Sequence, residues 1–164
     1  MSYESDLIDK LLADNRVYSC EECAYILATV KHETAGTFRP IEEYGKGKNR
    51  SYGKPDPETG ETYYGRGYVQ LTWKNNYYQF TRILGKDLVN EPDLALDPDI
   101  AYEIMIEGMT KGLFTGKRLS QYINVDNTDF ISARRIINGT DKARLIASYA
   151  EAYTTKLLET GAFE

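Results

Sequence analysis

The sequence predicts a mainly α-helical domain with one small β element inserted between its second and third helices. Three observations carry that expectation. Apolar residues recur at helical spacing through the first 33 residues and again beyond residue 72. Helix caps and stops stand at the ends of those stretches. Between them lies RPIEEYGKGKNRSYGKPDPETGETYYGRGYVQLTW, residues 39 to 73, whose Gly, Pro, Tyr and charge give it the composition of a long loop with at most short strands.

The first helix holds Leu7, Ile8, Leu11 and Leu12 at helical spacing with acids between them. The second begins near Cys20, because Ser19 followed three residues later by Glu22 reads as a capping box, in which the serine hydroxyl accepts from the Glu22 amide and the glutamate reaches back. Ile26, Val30 and Glu33 then fall at i, i+4 and i+7, which places Glu33 on the apolar stripe near the helix end. A carboxyl there faces the protein. Desolvation penalises a charged carboxylate, so Glu33 is a candidate proton donor. In the loop, Pro57 and Gly60 of DPETGET have the spacing of a tight turn, and TYYGRGYVQLTW has the β-branched and aromatic enrichment of a strand, which together predict a small hairpin. A third helix runs from about Thr72 through Tyr77, Phe80 and Leu84 and stops at Gly85. A fourth starts with Asp97 as cap and Pro98 at its first position, turning Ile100, Ile104 and Met105 inward. TDFISARRIINGTD reads as a helix from Thr128 or Asp129 closed by Gly139. The last helix turns Leu145, Ile146, Tyr149, Tyr153 and Leu157 inward.

A chain of 164 residues with no linker or internal repeat predicts a single domain over 1–164, expected to be monomeric. Its net charge of −5 excludes the basic footprint of a general nucleic-acid binder. No apolar run reaches membrane-spanning length, and the acidic start MSYESDLIDKLLADN is unlike a secretory signal. The expectation is a protein made in the cytoplasm without an export signal. Cys20 and Cys23, with one histidine in the chain, supply too few soft ligands for a four-ligand zinc site, so neither metal nor cofactor is expected. Fourteen tyrosines against five phenylalanines suit a polar, planar ligand.

Glu42 and Glu43 follow Glu33 by nine and ten residues, where helix gives way to loop. Hydrolysis of a glycosidic bond with inversion needs such a pair of carboxyl groups, roughly 6.5 to 9.5 Å apart with a water between. Four separated segments, ATVKHETAG, RPIEEYG, TYYGRGYVQLTW and ARRIINGTDKA, together resemble glycoside hydrolase family 19, the chitinase-like fold, and most closely its phage and bacterial peptidoglycan-degrading branch. The resemblance spans about residues 19 to 158. It implies a lysozyme-like helical domain with a small β-hairpin and a long substrate-binding loop.

Carried over residue by residue, the resemblance makes Glu33 of H-E-T the general acid and puts the water-activating base on PIEEYG. Glu43, immediately before Tyr-Gly, is favoured, with Glu42 as the alternative. The G-R-G-x-x-Q-L-T element gives Thr72 a part in holding the water and Gln70 a substrate contact. Tyr64 and Trp73, the only tryptophan, are further substrate contacts. His32 supports, Asn138 lines the cleft, and Arg144 ion-pairs with the catalytic carboxylates. Plainer readings stand beside these: Thr72 as a helix N-cap, Gly65 and Gly67 as chain turns, and Asn138 as a helix terminus.

The implied activity is hydrolysis of β-1,4 bonds in peptidoglycan, as an endolysin acts, on a wall reached from the cytoplasm through a phage holin or another route. A single tryptophan, where many members of the family carry several, suggests an aminosugar polymer other than chitin, and the basic loop residues Lys46, Lys48, Arg50 and Lys54 read either as a solvated loop or as contacts to the lactyl and peptide carboxylates of peptidoglycan. A chitinase is the alternative, and a wall-binding domain without catalysis is the alternative of another class.

Overall fold

A computed structural model describes residues 2–163, which form two compact units. The first joins the N-terminal residues up to Phe38 to those from Ile106 onward, and the second runs from Arg39 to Met105. The boundary falls inside the fourth helix.

The first unit is built on α2 (Cys20–Glu33), which is buried on every side from Cys20 to Val30 apart from Glu21. A helix that is apolar all round belongs at the centre of its unit. Helix α5 (Ala143–Glu159) lies along it, burying Ile146, Ala150, Tyr153 and Leu157 at i, i+4, i+7 and i+11. Helix α1 (Tyr3–Leu12) adds Leu7, Ile8 and Leu11, and Tyr25 of α2 stacks on Phe130. The stripe of α5 differs from the expected one. Leu145 is exposed and Tyr149 half-buried, while Ala143, Ala147 and Ala150 are buried alongside the expected Ile146, Tyr153 and Leu157.

At the start of α2 the Ser19 hydroxyl accepts from the Glu22 amide at 3.1 Å, as expected, but the Glu22 carboxylate accepts from the Tyr18 amide at 3.0 Å rather than from Ser19. Burial pushes the Glu22 carboxyl above its ordinary 4.5. The folded chain therefore holds that proton more tightly than the unfolded chain, and stability falls as pH rises from 4.5 through the folded value. Glu22→Gln keeps an acceptor for Tyr18 and should flatten this decline, read as thermal unfolding followed from pH 4 to pH 7. An unchanged pH dependence would refute the assignment.

The expected helix over 128–139 is a correction. Ile123–Asn124 and Asn127–Thr128 pair as the strands β3 and β4 of a hairpin, and only Ser132–Ile136 winds, as a 3₁₀ turn. The Asn124 side chain accepts from the Asp126 amide, closing the chain on itself and competing with helix. Ala133 and Ile136, three apart, are buried as the tighter 3₁₀ period requires.

In the second unit, β1 (Ile41–Glu42) pairs antiparallel with β2 (Arg66–Gly67), Glu42 standing opposite Arg66. The DPETGET turn forms, held by the Asp56 amide bond to Glu61, but β2 finds its partner in residues 41–42 instead of across that turn. Helix α3 (Lys74–Leu84) ends at Gly85 in the left-handed conformation, with φ at 69°. Asp97 caps α4 (Pro98–Lys111) by accepting from the amides of Asp99 and Ile100. Among the described residues, no helix is long and apolar enough to cross a membrane, and no group of His, Cys, Asp and Glu is arranged to hold a metal ion.

Candidate active site

Glu33 is the last residue of α2, and its side chain is 15% exposed. The carboxylate does not sit in an apolar pocket, as the stripe implies. Arg134, 3% exposed, places Nη1 at 2.9 Å from Glu33 Oε1. The guanidinium is fixed from behind, since its Nε donates to the Asp141 carbonyl at 2.8 Å. The expected partner, Arg144, lies exposed on α5 and makes no bond to Glu33; the guanidinium that does so comes from the 3₁₀ turn. A helix side chain is directed by its register, and residue 144 falls one position off the buried stripe of Ala143, Ile146 and Ala147. Sequence reasoning passes over Arg134, although a signal for it exists. An arginine set between apolar residues, as in ARRII, needs an anion once buried.

His32 is half-buried beside Glu33, and Asn138 is exposed with its side-chain oxygen accepting from the Gly139 amide at 2.9 Å.

The loop glutamates have different surroundings. Glu43 accepts three hydrogen bonds at 3.1 Å: from the amides of Gly47 and Gly65 and from the Tyr52 hydroxyl. Its own amide donates to the Gly65 carbonyl at 2.7 Å. The side chain thus ties two distant parts of the loop together. Glu42 is the less occupied carboxylate, its side chain 36% exposed. One oxygen accepts from the Tyr64 hydroxyl and lies 3.9 Å from Lys46 Nζ. Its other oxygen accepts no bond among the described residues.

Gln70 spends both amide protons within the loop, on the carbonyls of Ile41 at 2.9 Å and Gly67 at 3.1 Å. It therefore holds the strand pair, where a substrate contact was expected. Gly65 and Gly67 serve the same packing. A Cβ on Gly65 would lie 2.8 Å from the Gln70 amide oxygen, and one on Gly67, at φ +97°, 3.0 Å from the Ala95 carbonyl. The Thr72 hydroxyl donates to the Gln70 carbonyl at 2.9 Å and caps nothing, since α3 starts at Lys74 with no side-chain cap. Its lone pairs are left for an incoming donor.

Trp73 is 52% exposed, its indole edge-on to Tyr52 with ring centroids 5.1 Å apart. Its φ of +78° is costly for a bulky residue, and Gln70 at +59° is similar. With Ala35, Phe38, Lys46 and Asn49, six of the seven non-glycine residues at positive φ among the described residues fall between residues 35 and 73. Backbone strain of this kind collects at functional loops.

A family model described as chitinase class I matches residues 13–111. The chain is 42% identical over 97 residues to endochitinase 1 of Theobroma cacao, covering 50% of this chain and 30% of that protein. It is 37% identical over 101 residues to endochitinase CH25 of Brassica napus, covering 52% and 31%. The chain thus spans under a third of the length of these curated relatives. Among solved structures, chitinase C from Streptomyces griseus HUT6037 superposes with a TM-score of 0.65 at 25% identity, over 93% of this chain and 66% of that one.

Proposed function

Since that model matches more than half of it, the chain belongs to glycoside hydrolase family 19, whose model is described as chitinase class I, and we propose that it hydrolyses β-1,4 bonds in an N-acetylated aminosugar polymer with inversion. The fold is the lysozyme-like helical fold of that family. Two observations, one within each unit, support the reading: Glu33 is aimed by a buried arginine, and Glu42 is held by one phenol with an oxygen left over.

In this mechanism the Glu33 carboxyl gives its proton to the leaving glycosidic oxygen as the bond from the anomeric carbon breaks. Glu42 takes a proton from the water that attacks the opposite face. Glu42 is preferred to Glu43 because a general base needs an unoccupied lone pair turned to the water, and Glu43 already serves three donors. Thr72 accepts from the same water through its remaining lone pairs. Trp73 offers its exposed ring to a sugar face.

The proposed polymer is peptidoglycan. Lys46, Lys48, Arg50 and Lys54 are all exposed on the stretch that follows Glu42, on a chain of net charge −5. Such a local cluster of cations suits the lactyl and peptide carboxylates of a wall polymer and gains nothing from neutral chitin. Chitin is the second reading, favoured by the relatives, which are named endochitinases.

Purified sacculi and chitohexaose incubated side by side separate the two, with the new reducing end identified by mass spectrometry and its anomer by NMR. Release of soluble muropeptides is expected, with the α-anomer formed first. Replacing Lys48, Arg50 and Lys54 by glutamate should slow the attack on sacculi about tenfold and leave chitohexaose hydrolysis unchanged, since only the charged polymer is attracted and none of the three touches Glu42. Cleavage of chitohexaose alone would establish the chitinase reading. Binding without cleavage of either polymer would establish a wall-binding domain.

A further inference from the structure

We propose that Tyr64 is a positioning residue for Glu42, with its ring fixed by Arg66, so that an assembly running from Asp93 at the surface through the buried Arg66 and Tyr64 sets the direction of the water-activating carboxylate. This rests on the reading of Glu42 as the base. Tyr64 was expected to contact substrate, but it is 7% exposed, and one face of its ring is covered by the Arg66 guanidinium at 3.9 Å from the ring centroid. Neither face is open for a sugar. The hydroxyl alone reaches the site, where it donates to Glu42.

The arrangement follows from the strand register. Glu42 stands directly opposite Arg66, and Tyr64 is two residues before Arg66, the diagonal position from which a long aromatic side chain meets a cross-strand neighbour. Arg66, 3% exposed, is held through Nε and Nη1. Its Nε donates to Asp93 at 3.0 Å, and Nη1 donates to the Thr62 carbonyl at 2.9 Å and to the Tyr77 hydroxyl at 3.0 Å. The Tyr77 hydroxyl in turn donates to the Tyr64 carbonyl at 2.6 Å. Backbone and ring of Tyr64 are therefore both held, with two cation–π contacts adding to the clamp.

The consequence for chemistry is directional. With one Glu42 oxygen occupied by the phenol, the carboxylate cannot rotate freely, and the other oxygen is presented to water. Burial, and then the bond to Glu42, push the Tyr64 phenol above its ordinary 10, so the hydroxyl keeps its proton and remains a donor.

Tyr64→Phe removes one oxygen and leaves the ring under Arg66, so it should unfold within a few degrees of the parent. On whichever of sacculi and chitohexaose the parent cleaves, its kcat should fall by roughly tenfold to a hundredfold, the scale of a misplaced catalytic group, with KM within twofold. The decisive measurement is a double-mutant cycle with Glu42→Ala, assayed with azide supplied as nucleophile. If Tyr64 acts through Glu42, adding Tyr64→Phe to Glu42→Ala should change the azide-supported rate by less than twofold. An equal loss in both backgrounds would overturn the proposal while leaving Glu42 as base. A raised KM with kcat unchanged would overturn it in favour of substrate contact. Parental activity in Glu42→Ala would remove the base assignment and the positioning role with it.

Discussion

Glu33→Gln should abolish hydrolysis and leave the fold intact. The amide is nearly isosteric with the carboxyl and cannot supply a proton to the leaving oxygen, so the loss should reach about two to four orders of magnitude, the usual worth of a general acid. The fold survives because the amide oxygen still accepts from Arg134, whose guanidinium is also bonded to the Asp141 carbonyl. Glu33→Ala separates the two roles. It leaves a guanidinium that is 3% exposed with neither charge nor acceptor at Nη1, where the glutamine variant keeps the acceptor. Truncating one member of a buried pair costs roughly 3 to 5 kcal/mol, and the partial exposure of Glu33 puts this case near 3. Urea unfolding should therefore show Glu33→Gln close to the parent and Glu33→Ala well below it, with both inactive. Activity of Glu33→Gln within threefold of the parent would sink the acid assignment. Equal stability of the two variants would show that Arg134 does not depend on Glu33.

What the sequence discloses divides along the range of the interactions. The caps of α2 and α4 and the Gly85 stop of α3 are local devices, each satisfied within four residues, and all three form where the sequence places them. Even there the reach of Glu22 to Tyr18 instead of Ser19 is settled by geometry that residue types do not specify. The stretch after Ile123 fails for a related reason: the Asn124 and Asp129 side chains bond to nearby amides and favour a hairpin and a 3₁₀ turn over the helix its apolar residues allow.

Long-range partners are least legible. Arg134 is 101 residues from Glu33, and although the ARRII setting signals a buried arginine, it does not say whether Arg134 or the exposed Arg135 is the one. Gln70 and Thr72 stand out in the sequence as polar residues on a glycine-rich segment, yet their visible bonds are spent on the loop itself. The motif is thus as much a device for building β1 and β2 as for meeting a sugar. Strain at Gln70 and Trp73 is likewise invisible to residue type, since neither favours positive φ.

The two adjacent glutamates give the second large effect. Glu42→Ala should lose two or more orders of magnitude in rate, as loss of a general base does, with little change in stability because its carboxylate is partly exposed and bonded only to Tyr64 and, loosely, to Lys46. Glu43→Ala should act in the opposite proportion. It removes the acceptor for the Gly47 and Gly65 amides and the Tyr52 hydroxyl, each bond worth about 1 kcal/mol net, so the loop should open to proteolysis and the midpoint of unfolding should fall. Any rate lost should be partly recovered by conditions that stabilise the fold. Azide distinguishes the two without reference to stability. A small anion can occupy the space left by a missing base and attack the anomeric carbon from the water side, forming the carbon–nitrogen bond as the glycosidic bond breaks and Glu33 protonates the leaving oxygen. Azide should therefore restore turnover in Glu42→Ala and yield the α-glycosyl azide, inverted from the β-linked substrate. It should not restore turnover in Glu43→Ala, where the base is still present. Rescue of Glu43→Ala alone would transfer the role to Glu43. A β-glycosyl azide from Glu42→Ala would mean a covalent or substrate-assisted route, and inversion would have to be abandoned even with both glutamates essential.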